Sequence, residues 1–144
     1  MNCNVAVANF AKASDGLLDA MGAGFTHIGP GAVSFFAAGL VHCPWSEANQ
    51  KHVFRVELRD ERDRPVPHPE NGEPIAVERG LEFGWPAGAH PTATVNMPFA
   101  IPFGPFEFEP GARYEVRVVI DDETRPDWGA AFTIREVPPQ QLAA

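Results

Sequence analysis

Long apolar runs are missing from this chain of 144 residues. None approaches the roughly 18 apolar residues of a membrane-spanning helix, so no membrane association is expected. Cysteine is almost missing too, with only Cys3 and Cys43. A disulfide framework needs more of them in a secreted setting, so both thiols are expected to stay reduced. The opening "MNCNVAVANFAKASDG" lacks the basic stretch and apolar core of a secretory signal, and the expected location is the cytoplasm. Excess positive charge is absent as well. The chain has 11 Lys and Arg against 19 Asp and Glu, a net charge of −8. The one arginine-rich stretch, Arg59 to Arg64, is interleaved with Asp60, Glu61 and Asp63, so no nucleic-acid partner is expected.

Catalytic signatures are missing in the same way. There is no Walker A loop, no G-x-S-x-G, no H-E-x-x-H and no C-x-x-C. No two carboxylates share an apolar setting that would raise one as a general acid. No cofactor is expected, and the balance leans away from an enzyme.

What the chain does have is turn residues and alternation. Its 15 prolines and 13 glycines are spread between short apolar runs, the mark of an all-β domain. Period-two patterning recurs five times and predicts strands with one wet side. The inward sets are Phe54, Val56 and Leu58; Ile75, Val77, Leu81, Phe83 and Trp85; Val95, Met97, Phe99, Ile101 and Phe103; Tyr114, Val116, Val118 and Ile120; and Ala130, Phe132 and Ile134. In the first third, "NCNVAVANFAK" reads as one strand and "SDG" at 14–16 as a turn. "LLDAMGAGFTHI" reads as a glycine-rich strand and "GPG" at 29–31 as a second turn. The run from Val33 to Val41 has almost no polar residue, so it predicts a strand covered on both faces or facing a neighbouring subunit. A single short helix is predicted near 45–51, opened by Pro44.

The sum is an antiparallel β-sandwich of two sheets and about eight strands, immunoglobulin-like or C2-like in topology. It forms one domain over 1–137, with a flexible tail at 138–144. Pro110 and Gly111 deliver Tyr114 to the start of a strand, as a tyrosine corner requires. The outward rows Arg55-Glu57-Arg59 and Arg113-Glu115-Arg117 would alternate in sign if their strands were neighbours.

Three stretches carry what chemistry there is. In "VHCPWSEANQKH" (41–52), strand parity puts His42 and Cys43 on opposite faces, while Cys43 and His52 both point inward. Cys43 and His52 are therefore the candidates for a thiol- or metal-dependent catalytic site, although no Asp or Asn is placed by the sequence to orient the histidine. The competing reading is an inert buried cysteine, a histidine bonded to the end of the helix, and Trp45 closing the end of the core. The acidic loops "RDERDRP" and "IDDETRPDW" resemble calcium-binding tips of sandwiches, but strand parity puts them at opposite ends. Within the second, Asp121, Asp122 and Asp127 are the candidate metal ligands. The stretch "MPFAIPFGPFEFEP" sets prolines opposite Phe99 and Phe103, followed by Phe106 and Phe108. It predicts an edge strand filling the core, or an apolar rim on which Phe99, Phe103, Phe106, Phe108 and Trp45 meet a protein partner or a second copy. A cavity for a small apolar ligand, lined by Phe and Trp, is the remaining possibility.

The order of parts resembles a family of small, mostly actinobacterial proteins known only as a domain of unknown function. The resemblance rests on "KASDGLLDAMGAGFT" (12–26), "VHCPWSEANQKHVFRVELRDE" (41–61), "MPFAIPFGPFEFEPGARYEVRVVID" (97–121) and "WGAAFTI" (128–134). Its most distinctive pieces are Pro44, Trp45, Glu47, Ala48 and Asn49, and the later Pro110, Gly111 and Tyr114. The resemblance implies a compact β-sandwich and carries no catalytic residue with it.

Overall fold

The computed structural model describes residues 1–84, 88, 90 and 93–137. Trp85 and the tail at 138–144 lie outside the described residues. The chain is all-β, with ten strands among the described residues: β1 (Asn2–Ala8), β2 (Phe10–Ser14), β3 (Leu17–Met21), β4 (His27–Ile28), β5 (Ala32–Cys43), β6 (Lys51–Asp60), β7 (Ala76–Glu82), β8 (Val95–Glu107), β9 (Arg113–Ile120) and β10 (Gly129–Ile134).

Two sheets form the sandwich, one ordered β1-β5-β8 and the other β4-β10-β9-β6-β7. Strands β2 and β3 form a separate two-stranded hairpin. The core lies between the two sheets and is built from the inward sets that alternation marks. Phe35 of β5 packs 4.9 Å from Phe132 of β10, and Phe99 of β8 packs 5.0 Å from Phe54 of β6. Phe54, Val56, Leu58, Val116, Val118, Phe132 and Ile134 are all buried.

The strand count exceeds the expected eight because the first third divides. The single strand expected over "NCNVAVANFAK" breaks at Asn9, a bend between β1 and β2. The expected strand over "LLDAMGAGFTHI" is interrupted by Gly22 and Gly24, both at positive φ, and survives as β3 and the two-residue β4. Asp15 and Gly16, with φ of 54° and 73°, make the two-residue turn that joins β2 to β3.

The expected helix near 45–51 is also corrected. Only Trp45–Glu47 is helical, as a single 3₁₀ turn. Ala48 is already extended, Asn49 sits at positive φ, and Lys51 pairs with Glu82 in β6. Trp45 remains half-buried on this turn, and Ala48 is the buried residue there.

The apolar strand β5 is the middle strand of its sheet, and its outer face is covered by this chain's own hairpin. Both hairpin strands contact β5 and β8. Ala11 and Ala38 are buried, and the Phe10 ring meets Phe36 edge-on at 5.4 Å. Among the described residues strand β8 pairs only with β5, so the proline-rich strand is an edge, as its prolines require.

Strands β6 and β9 are neighbours. Their register sets Glu57 opposite Arg117 and Arg59 opposite Glu115, so the two outward rows alternate in sign. The Tyr114 hydroxyl accepts the backbone N–H of Glu109 at 3.3 Å, completing a tyrosine corner.

Candidate functional site

His52 opens β6 with its side chain turned inward, and it is buried. Its Nδ1 lies 2.6 Å from Asp121 Oδ2, and its Nε2 lies 2.8 Å from the carbonyl oxygen of Glu47, the last residue of the 3₁₀ turn. Both partners are acceptors, so the geometry favours the doubly protonated ring, which can donate to each. Burial opposes that charge. The Asp121 carboxylate and the Glu47 carbonyl outweigh it and raise the His52 pKa above the ordinary histidine value. Burial likewise works against the Asp121 carboxylate, yet the hydrogen bonds from His52 and from the Val53 N–H hold its pKa below the usual carboxylate value.

The sequence points to Asp121 only as a metal ligand, and its pairing with His52 is what sequence reasoning missed. Asp121 stands 69 positions from His52 and meets it through the β6–β9 register, which sets Phe54 opposite Ile120. The "IDD" at the end of a strand was the only available signal. The chain turns there with Asp121 and Asp122 both at positive φ, a conformation Asp tolerates better than most residues.

Cys43 ends β5 and is fully buried. Its Sγ lies 3.5 Å from the carbonyl of Pro44. Burial, with Glu47 nearby, raises its pKa and disfavours the thiolate that a nucleophile needs. His52 directs both ring nitrogens to Asp121 and Glu47 rather than to the thiol. Cys3 is buried on β1 and its pKa is pushed up to about 12, chiefly by that burial. Both thiols are free. Cys3 pairs in register with Val41, so Cys43 is its diagonal neighbour. Diagonal neighbours across an antiparallel pair sit too far apart for the Cβ spacing of a disulfide.

The proposed metal ligands do not converge. Asp121 spends both carboxylate oxygens on His52 and Val53. Asp122 and Asp127 are exposed, and among the described residues no three of His, Cys, Asp and Glu gather as a metal would need. His42 lies on the opposite face of β5 from Cys43, between Asn4 and Asn96 at 3.3 and 2.7 Å.

The two acidic loops begin at opposite ends of the β6–β9 ladder, where Asp60 faces Tyr114 and Ile120 faces Phe54. The longer loop then doubles back. The Arg117 guanidinium donates to the carbonyl of Arg125, and Arg59, Asp63, Arg117, Thr124 and Arg125 wall a cleft of about 290 Å³. A second cleft, of about 390 Å³, sets Arg62, Arg64 and Arg113 against Asp60, Glu61 and Glu109. Charges balance in the second cleft, whereas the first sets three arginines against Asp63 alone, and both open to solvent. An apolar cleft of about 250 Å³ at the seam of β7 and β8, lined by Leu81, Met97 and Phe99, falls below the roughly 300–1,000 Å³ of drug-sized ligand sites.

The phenylalanines of the proline-rich strand turn mainly inward. Phe99, Phe103 and Phe108 are buried, while Phe106 and Trp45 are half-buried. The large apolar side chains that are exposed lie elsewhere. They are Phe10, Leu17, Met21 and Val53, at 50, 68, 68 and 46 % exposure. Three of these four sit on the β2–β3 hairpin, and its register pairs Phe10 with Met21 and Ser14 with Leu17. Paired residues share a face, so all three belong to one side of the hairpin; Leu17 and Met21 project into solvent, while the Phe10 ring turns back to Phe36 of β5.

No helix among the described residues is long and apolar enough to cross a membrane. No curated protein and no solved structure matches the chain. One family model matches residues 4–129, a span that runs from β1 into β10 and includes the hairpin, Cys43, His52 and Asp121. The chain belongs to that family, a family of unknown function designated DUF6941.

Proposed function

We propose that this protein is a non-catalytic interaction module and that the outer face of the β2–β3 hairpin is its contact surface. One observation carries the reading: Phe10, Leu17 and Met21 are each at least half exposed and share one face of one hairpin. Single exposed apolar residues are ordinary, but clustered ones mark contact sites. The engaged state of His52 and the buried, high-pKa thiol of Cys43 argue against the alternative of a thiol-dependent enzyme. Two free cysteines fit a reducing compartment, which supports a cytoplasmic location.

The test compares the tagged full-length protein with a Leu17→Asp/Met21→Asp variant. Both are incubated with extract of the source cells and their retained proteins are counted by mass spectrometry. The wild type is expected to hold specific proteins that the variant loses. Equal retention by both, with the variant folded by circular dichroism, would remove the hairpin face as the contact surface.

A further inference from the structure

The hairpin face has a two-fold pattern in its charges as well as its apolar groups. Its cross-strand pairs, from base to tip, are Phe10 with Met21, Lys12 with Asp19, and Ser14 with Leu17. By register all six share one face of the hairpin, with the Phe10 ring half exposed and its edge against Phe36 of β5. Lys12 and Asp19 stand opposite each other in register, yet among the described residues neither has an ion-pair partner in its own chain.

Two copies of such a face can meet in two symmetric ways. With the two-fold axis across the strands, β2 lies on β2 of the other copy. Lys12 then faces Lys12 and Asp19 faces Asp19. With the axis parallel to the strands, β2 of one copy lies on β3 of the other. Phe10 then faces Met21, and Lys12 faces Asp19, each contact occurring twice as an isologous interface demands. Both arrangements make one kind of apolar contact, Met21 on Leu17 in the first and Phe10 on Met21 in the second, but only the second sets cation on anion.

Resting on the reading of this hairpin as the contact surface, we infer that its partner is a second copy of the same chain, docked hairpin to hairpin about an axis parallel to the strands. The net charge of −8 opposes any other broad contact between copies, and this face carries matched opposite charges. The contact is small. A hairpin of five-residue strands is about 17 Å long, well short of the roughly 800 Å² per partner of a standard interface. The dimer is therefore weak, with dissociation in the high-micromolar range, ~100 μM to ~1 mM.

The test is sedimentation equilibrium of the full-length protein from about 10 μM to about 1 mM, a range that spans weak association. The wild type is expected to pass from monomer to dimer. Lys12→Glu sets Glu against Asp19 of the other copy, and Asp19→Lys sets Lys against Lys12, so each is expected to weaken dimerisation about tenfold or more. The double variant Lys12→Glu/Asp19→Lys restores opposite charges and is expected to recover the wild-type dimer. These are exposed side chains, and thermal melting checks that every variant is folded.

A wild type that stays monomeric throughout overturns the inference. So does dimerisation indifferent to the single reversals, or a double variant no better than the singles. None of these results touches the retention experiment above, which decides separately whether the hairpin face binds anything.

Discussion

His52 joins three parts of the molecule through one ring: its own strand, the 3₁₀ turn through Glu47, and the end of β9 through Asp121. Because its folded pKa is raised, the stability it contributes is complete below the unfolded value of about 6.5 and is lost as pH rises through the folded value. Asp121 works in the opposite sense. Its folded pKa lies below the ordinary aspartate value of 3.8, so its contribution is complete above that value and is lost as pH falls through the lowered one. The pair is strongest between these limits, in mildly acidic solution. Chemical denaturation at pH 6 and pH 8 is expected to show the wild type less stable at pH 8. Asp121→Asn should abolish most of that difference and cost about 1 kcal/mol at pH 6, a modest figure because Asp121 is half exposed and solvent screens it. An NMR titration should show the His52 ring losing its proton at lower pH in the variant. An unchanged His52 titration in Asp121→Asn would show that the contact does not hold the charge.

At the scale of elements, β6 and β9 show both what a sequence displays and what it hides. Alternation is local, so the inward sets and the Arg-Glu-Arg rows could be read one strand at a time. Register is not local. Nothing near His52 in sequence announces Asp121, and nothing in "NCNVAVANFAK" announces that the chain leaves its sheet at Asn9. The Asp15-Gly16 turn was legible, and a two-residue turn of that type signals a hairpin. What remained hidden was that this hairpin stands outside both sheets with Leu17 and Met21 exposed. The outward row of β6 has a consequence for stability. Glu57 is buried, Arg55 and Arg59 donate to it from its own strand, and Arg117 stands opposite on β9. Removing its charge leaves arginines facing one another across a partly desolvated surface. Glu57→Gln is expected to destabilise the protein by about 1–3 kcal/mol in urea unfolding. Glu115→Gln should cost less, because Glu115 is more exposed and its ion pair is with Arg117. Equal and negligible costs would mean that the row is an ordinary solvated face.

For the whole molecule, the division into two sheets was legible because every amphipathic strand needs a second face to cover it, and five such strands cannot be covered by one short helix. The core that results is continuous. Phe35 touches Phe103 within its own sheet and Phe132 in the other, and Phe132 is in turn near Tyr114 and Phe108. The first and last strands of the sandwich are tied to the same body. Asn2 accepts the indole N–H of Trp128 at 3.1 Å, while the backbone N–H groups of Ile134 and Arg135 bond Ala112 and Ile28. We propose that this body, residues 1–137, is one cooperative domain to which 138–144 add no stability. Trp128 is buried beside β1 and β9, so its fluorescence should report the same event as the far-ultraviolet circular dichroism of the strands. The two signals are expected to coincide in a thermal melt. A chain ending at Val137 should melt within about 2 °C of the full length, since a loss of 1 kcal/mol in a domain of this size would shift the midpoint by more than that. A clearly lower midpoint would place the domain boundary beyond Val137, and separated transitions would show that the hairpin or one sheet melts on its own.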